Sequence, residues 1–172
     1  MRIALGADHR GLDVRRHILG TMRQLGHEVE LVGDDVPAMC DYPDVAYPVA
    51  LAVAEGRADR GVLSCGSGIG MCIAANKVRG VRAALVHDEI GADMSRRHND
   101  ANVLCLPADL LGIRIIDRIL SIWLKAPFEG GRHGRRVAKI MAIEQNLDPR
   151  HTADAMLVQP AQDTIKATQL EA

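Results

Sequence analysis

The stretch GVLSCGSGIGMCIAANK, residues 61–77, decides the fold class of this chain. An apolar run ends at Cys65, three glycines follow at alternate positions, and residues of helical type come next. Such a run is typical of a buried strand, and the glycines allow the backbone to turn sharply into a helix. The stretch therefore predicts a strand–turn–helix unit with a thiol at the carboxyl end of the strand.

The same alternation continues along most of the chain. Five short apolar runs predict strands, in the segments RIALGAD, EVELVG, GVLSCG, VRAALVH and NVLCLP. Segments with helical spacing of apolar residues lie between them. Because parallel neighbours need a crossover, this alternation predicts an α/β, Rossmann-like three-layer sandwich with a five-stranded parallel sheet. Ligands in such sheets bind at the carboxyl ends of the strands.

One predicted helix has no strand after it. The segment RRVAKIMAIEQNL, residues 135–147, has helical spacing of apolar residues, and its apolar face needs a partner. We expect an extra C-terminal helix that is used in dimerisation. Residues 1–148 are interpreted as a single domain, and residues 149–172 as a tail that is flexible or packed on a partner subunit.

Composition and charge exclude several classes of protein. With 172 residues, of which 48% are hydrophobic and 25% charged, the chain is long enough for one domain with a buried core. A net charge of −1 gives no reason to expect nucleic acid or an anionic membrane as a partner. No apolar run approaches the roughly 18 residues of a transmembrane helix. We expect a cytoplasmic protein that binds a small molecule and keeps its four cysteines as separate thiols.

Titratable side chains accompany three of the predicted strands. Asp8 and His9 follow the first strand, Cys65 ends the third, and His98 and Asn99 precede the fifth. We expect them to converge along one edge of the sheet, which is typical of a catalytic site. Each also has a purely structural interpretation: a helix cap for the carboxylate, a packing residue for the thiol, and a surface histidine.

Two features favour an anionic ligand. Free N–H groups at the start of the helix after the glycine loop, residues 66–70, suit a thiolate or a developing oxyanion, so we expect a lowered pKa at Cys65. Arg132 and Arg136 are one helical turn apart and suit a phosphate. Two arginines at this spacing are also common on a solvated helix face.

Four segments resemble the type B ribose-5-phosphate isomerases, the group that also contains galactose-6-phosphate and allose-6-phosphate isomerases. They are ALGADHRG, SCGSGIGMCIAANKVRGVRAAL, SRRHNDANVL and FEGGRHGRRV, and the resemblance extends from Met1 to about Asn146. It implies an aldose–ketose isomerase that interconverts ribose 5-phosphate and ribulose 5-phosphate through a cis-enediolate. It also implies a homodimer or tetramer with an active site at the subunit interface, and neither a metal nor an organic cofactor.

The resemblance also assigns roles to residues. It makes Cys65 the base that moves a proton between C1 and C2, with Ser67 and the loop N–H groups stabilising the enediolate. His98 matches the residue that opens the furanose ring. The remaining matched positions bind the sugar or its phosphate, namely Asp8, His9, Tyr42, Gly66, Gly68, Ile69, Gly70, Asn99, Arg132 and Arg136.

One position departs from the family pattern. Many members carry Gly-x-Arg after the fifth strand, with the arginine holding phosphate, whereas this chain reads Pro107-Ala108-Asp109. An acid there would repel a phosphate, which favours a different sugar, such as a tetrose or hexose phosphate. The alternative is that Asp109 caps a helix starting near Leu110 while Arg114 or Arg136 holds the phosphate.

Two other classes of protein stay open. A non-catalytic phosphate- or nucleotide-binding module would use the glycine loop and the arginines but would not need Cys65 and His98. A thiol redox sensor would need Cys65 to react, with no use for the arginines. The spacing identifies no resolving cysteine, although Cys72 lies seven residues further on.

Overall fold

A computed structural model describes residues 1–33 and 39–151, which divide between two compact units with the boundary between Phe128 and Glu129. The strands of the first unit are β1 (Arg2–Ala7), β2 (Glu28–Val32), β3 (Arg60–Cys65), β4 (Ala83–Leu85) and β5 (Val103–Pro107). Its helices are α1 (Leu12–Gln24), α2 (Tyr42–Ala54), α3 (Ile69–Ala75), α4 (Glu89–Asn99) and α5 (Ile113–Lys125). The second unit holds α6 (Gly131–Glu144) and a short 3-10 helix (Pro149–His151).

The five strands form one parallel sheet, as the sequence predicts, and their order in it is β2-β1-β3-β5-β4. At the carboxyl edge, Ala7 of β1 is opposite Ser64 of β3, and Cys65 is opposite Pro107 of β5. Strand β2 pairs with one side of β1, and the chain then returns so that β3 pairs with the other side of β1. The carboxyl ends of β1 and β3 therefore flank a topological switch point, where parallel sheets bind ligands.

Helices cover both faces of the sheet. Helices α1, α4 and α5 pack on one face over a core that includes Ile18, Ile119 and Trp123. Helices α2 and α3 pack on the other face, where the core includes Val49 and Met71. Successive strand residues alternate between the two cores because side chains point to opposite faces of a strand. This is the predicted three-layer sandwich.

The helix boundaries correct one prediction. Helix α5 begins at Ile113 with Gly112 as its N-cap, so Asp109 does not cap a helix that starts near Leu110. The predicted last helix is present as α6. Most of the predicted tail, residues 152–172, lies outside the described residues. Within the described ranges, none of the helices has the length and apolar character that crossing a bilayer requires.

Candidate active site

The thiol of Cys65 lies at the carboxyl end of β3 and is 5% exposed. The backbone then turns at Gly68, whose φ of 72° is left-handed, and α3 begins at the next residue. This turn brings the Gly68 N–H to the Cys65 Sγ, to which it donates at 3.2 Å. The strand–turn–helix unit predicted from the sequence therefore places a thiol against the first N–H groups of a helix.

Burial raises the pKa of the Cys65 thiol above its ordinary value. Loss of hydration at the buried strand end is the largest cause, and the negative charge of Asp8 acts in the same direction. The N–H groups of Met71 and Gly68 favour the thiolate but do not offset the loss of hydration. The prediction of a lowered pKa is therefore wrong for this chain, because hydrogen bonds at one helix end are weaker than desolvation.

Gly68→Ala is expected to destabilise the fold strongly. A left-handed backbone costs a side-chain-bearing residue about 1–2 kcal/mol, and overpacking adds about 1–3 kcal/mol. The new methyl carbon would lie 2.5 Å from Leu85 Cδ1 and 3.1 Å from the backbone carbonyl carbon of Leu106. Urea denaturation measures the loss in the free energy of unfolding.

Gly80→Ala is the matched control for this prediction. Gly80 also has a left-handed φ, of 84°, but no heavy atom within 4 Å of a new Cβ. This variant should lose only the backbone contribution, about 1–2 kcal/mol. Equal losses in the two variants would contradict the steric part of the argument.

Asp8 is buried directly after β1, with 5% of its surface exposed. Its Oδ1 accepts hydrogen bonds from the N–H groups of Arg10 at 2.9 Å and Gly11 at 3.2 Å. The carboxylate therefore fixes the turn that precedes α1, and its charge reaches Cys65 across the switch point. The next side chain, His9, has a buried Nδ1 without a hydrogen-bond partner among the described residues.

Tyr42 and Ser67 border the same loop. Tyr42 begins α2, and a Cβ atom on Gly70 would lie 2.7 Å from two carbons of its ring, so the ring packs directly on the loop. The exposed Ser67 accepts a hydrogen bond at Oγ from the Ile69 N–H at 3.3 Å. The structure thus brings Asp8, Tyr42 and Ser67 to the Cys65 loop.

His98 and Asn99 lie at the opposite edge of the sheet. They end α4, and Arg82, the residue before β4, donates from Nε to the Asn99 carbonyl oxygen at 3.1 Å. The six-residue strand β3 separates this amino edge from Cys65 by about 16 Å. The prediction that they converge with Cys65 on one edge is wrong within a single chain. A helix that leads into a parallel strand ends at the amino edge, not the carboxyl edge.

A partly buried charge network fixes the end of α4. The helix stops at Asp100, whose φ is 47°, and the two carboxylate oxygens accept from Arg96 Nη1 at 2.9 Å and Arg82 Nη2 at 2.8 Å. Arg96 Nη1 also donates to the Ala101 carbonyl oxygen at 2.6 Å. These contacts hold His98 and Asn99 in place. Sequence reasoning missed this network, although a helix ending in Asn-Asp after two arginines is a recognisable signal.

Arg132 and Arg136 belong to the second unit. Both are exposed on α6 and one helical turn apart, as predicted. Arg132 Nε donates to His133 Nε2 at 3.2 Å, and the same His133 atom lies 3.5 Å from Glu129 Oε2. The helix thus carries two guanidinium groups near its N-terminus, and their role toward phosphate stays a prediction.

Comparison with known proteins identifies the family. A family model described as Ribose/Galactose Isomerase matches residues 3–140. The chain belongs to the ribose/galactose isomerase family. This confirms the sequence-based assignment and the isomerase class.

Three similar proteins illustrate the range of the ribose/galactose isomerase family. The chain is 44% identical to ribose-5-phosphate isomerase B of Escherichia coli, over 84% of this chain and 97% of that protein. It is 43% identical to D-erythrulose-4-phosphate isomerase of Pectobacterium atrosepticum, over 81% and 93%. The solved structure of ribose-5-phosphate isomerase B of Clostridium thermocellum matches with a TM-score of 0.84 and 45% identity, over 85% and 99%.

Asp109, the departure from the family pattern noted above, makes an ion pair that sequence reasoning missed. Arg10 donates from Nε and Nη2 to Asp109 Oδ2, at 2.8 and 2.5 Å. The carboxylate therefore has a cationic partner and does not face the site as an isolated charge. Two signals in the sequence could have indicated this pair: the two residues have opposite charges, and each closely follows the end of a strand.

Proposed function

We propose that this protein is an aldose–ketose isomerase that interconverts ribose 5-phosphate and ribulose 5-phosphate, with Cys65 as its base. One observation carries the proposal. In a member of the ribose/galactose isomerase family, a thiol lies at the topological switch point, 3.2 Å from a loop N–H and across from a buried carboxylate. A base next to preorganised donors is what proton transfer between adjacent carbons requires.

The Cys65 thiolate takes the proton from C2 of the opened aldose, and the electron pair of that bond moves onto O1, which gives a cis-enediolate. The hydroxyl proton of O2 then passes to O1, and Cys65 returns its proton to C1 as the C2 carbonyl of the ketose forms. The Ser67 hydroxyl and the N–H groups of residues 66–70 would stabilise the negative charge of the enediolate. A general base contributes about 10²–10⁴-fold, and one oxyanion donor contributes about 10²–10³-fold.

His98 opens the furanose ring by proton transfer, with Asn99 beside the sugar. Asp8 has one carboxylate oxygen occupied by two backbone N–H groups, which leaves Oδ2 for a substrate hydroxyl. Phosphate binding by His9, Arg132 and Arg136 would hold the opened chain over the thiol. Binding energy remote from the reacting carbons is used in this way to position substrate.

The active site is shared between two subunits in this proposal. His98 and Cys65 lie at opposite edges of one sheet, and β3 spans about 16 Å between those edges, so one chain does not bring both to the same sugar. A symmetric dimer would place the His98 edge of one subunit against the Cys65 edge of the other. Exposed apolar side chains on the helices beside the site support such an interface, namely Ile69, Ile73, Ile90 and Met94. We propose that α6 also contributes to it.

A second substrate class has specific support. A relative of this chain at 43% identity is named a D-erythrulose-4-phosphate isomerase, so the family includes an enzyme for a four-carbon sugar. An isomerase with the same mechanism and a tetrose phosphate as its substrate is the alternative function. Non-catalytic phosphate binding and thiol sensing have no comparable support.

A substrate panel tests both functions. Purified protein is incubated in EDTA with phosphorylated tetroses, pentoses and hexoses, and aldose–ketose conversion is followed. We expect metal-independent turnover that is fastest with ribose 5-phosphate. Faster turnover of a tetrose phosphate would favour the alternative, activity lost in EDTA would contradict the metal-free mechanism, and no turnover would favour a binding module.

A further inference from the structure

The Arg10–Asp109 ion pair is tied to three strand-end loops of the candidate site. The Arg10 side chain donates from Nε and Nη2 to Asp109 Oδ2. The backbone N–H of Arg10 donates to Asp8 Oδ1 at 2.9 Å. The Asp109 N–H donates in turn to the Gly66 carbonyl oxygen at 3.0 Å. The loops after β1, β3 and β5 are therefore joined through this pair.

The pair also forms one wall of the loop that follows Cys65. A Cβ atom on Gly66 would lie 2.5 Å from Asp109 Oδ2 and 2.7 Å from Arg10 Nε. Only a glycine permits this approach, because any larger residue would displace the two charged groups. The guanidinium therefore lies against the residue that immediately follows the proposed base.

The electrostatic effect of Asp109 at this edge differs from that of an unpaired acid. The hydrogen bond from Arg10 to Asp109 raises the pKa of the guanidinium, so Arg10 is fully charged. Its Nη1 makes no hydrogen bond to the described residues, and 59% of its side chain is exposed. Because Nε and Nη2 already balance the charge of the Asp109 carboxylate, Nη1 is the part of the Arg10 guanidinium that can bind an anionic ligand here.

We propose that Arg10 binds the phosphate of the substrate through Nη1 and that Asp109 is the positioning residue that holds it over Gly66. This inference rests on the proposed function and deepens it, because it assigns a phosphate contact to a residue of the Cys65 edge itself. A guanidinium already fixed by a carboxylate loses less conformational freedom when it binds. The acid at position 109 then supports a phosphate-bearing substrate and does not exclude one.

The test compares Arg10→Ala, Arg10→Lys and Asp109→Ala. We expect Arg10→Ala to raise KM for the preferred sugar phosphate at least about tenfold, with kcat changed little, since a charged hydrogen bond is lost. Arg10→Lys should recover part of the affinity, because an ammonium keeps the charge but not the two-point contact with Asp109. Asp109→Ala should also raise KM, because the guanidinium is no longer held.

The matched control is Arg2→Ala. Arg2 is exposed to a similar extent and pairs with Asp59 at 2.9 Å, but it lies at the amino end of β1, which β3 separates from β5 and from the His98 end of α4. This variant should leave KM and kcat unchanged. Thermal unfolding of all variants separates loss of folding from loss of binding. If Arg10→Ala is unstable, Arg10→Lys is compared with the wild-type protein in its place.

Binding of inorganic phosphate, measured by titration calorimetry, separates this proposal from the proposed function. If the protein turns over no sugar phosphate, the isomerase proposal fails, yet a tenfold weaker Kd for phosphate in Arg10→Ala would still support the phosphate contact. Unchanged KM and Kd in Arg10→Ala would overturn it. Tighter phosphate binding in Asp109→Ala would show that the acid repels the ligand, which would also overturn it.

Discussion

Replacing Cys65 by alanine is expected to lower kcat for aldose–ketose conversion by about 10²–10⁴-fold, because the variant lacks the proposed base and loses its general-base contribution. KM should change little, since the phosphate contacts are intact. Cys65→Ser offers a second variant of nearly the same size, and it should be almost as inactive because a hydroxyl is a much weaker acid than a thiol. Both are measured with the best sugar of the panel.

Cys72→Ala is the matched control for the loss of the thiol. Cys72 lies on the helix that follows the loop, where its Sγ is 3.4 Å from the Ala83 carbonyl oxygen, and it has no role in the proposed mechanism. Its removal should leave kcat within a few-fold of the wild-type value. A fully active Cys65→Ala enzyme would refute the mechanism, and loss of activity in Cys72→Ala alone would favour a redox role for the thiols.

The pKa of Cys65 sets the pH dependence of the same reaction. The base acts as a thiolate, and burial raises its pKa, so the thiol is mostly protonated in the free protein at neutral pH. The value of kcat/KM should therefore rise with pH and continue to rise at about pH 9, because it reports ionisation of the free enzyme. A plateau reached below about pH 7 would show that the thiol is ionised in the working enzyme.

Mixing two inactive variants is expected to restore activity if the site is shared between subunits. Homodimers of Cys65→Ala lack the base in both sites, and homodimers of His98→Ala lack the ring-opening group, so each should lose about 10²-fold or more. Equimolar co-refolding makes half of the dimers mixed, and each mixed dimer has one site with both residues intact. Activity should recover to about a quarter of the wild-type value.

The matched control mixes two variants whose substitutions lie on the same edge of the sheet. Cys65→Ala is mixed with Asp8→Asn, whose carboxylate lies across the switch point in the same chain. No site of that mixed dimer has both residues intact, so activity should not recover. Failure of the first mixture to recover, with mixed dimers demonstrated by mass spectrometry, would contradict a shared site.

Much of the fold and part of the site could be predicted from the sequence. The strand ends at Ala7, Cys65 and Pro107 follow from short apolar runs that stop at turn residues, and these runs carry a strong local signal. The clustering of Asp8, Tyr42 and the glycine loop around the thiol depends on the same strand ends. These positions are determined locally or by the parallel sheet, which is why the sequence indicates them.

Three features could not be obtained from local pattern alone. The edge on which His98 lies depends on the direction of α4. The prediction placed His98 near Cys65 because it did not consider that a helix between parallel strands returns the chain to the amino edge. The pKa of Cys65 depends on the burial of the strand end, a property of the whole core. The Arg10–Asp109 pair joins residues 99 positions apart, so no spacing rule indicates it.

The strand order also has a consequence for the way in which the chain is made. Strand β5 lies between β3 and β4, and among the described strands β4 pairs with β5 alone. While the ribosome has released only β1 to β4, the outer side of β3 is an unpaired edge that can associate with another nascent chain. The strand that ends in Cys65 is therefore completed late, when residues 103–107 emerge, and substitutions that delay β5 should reduce soluble yield before they affect the finished enzyme.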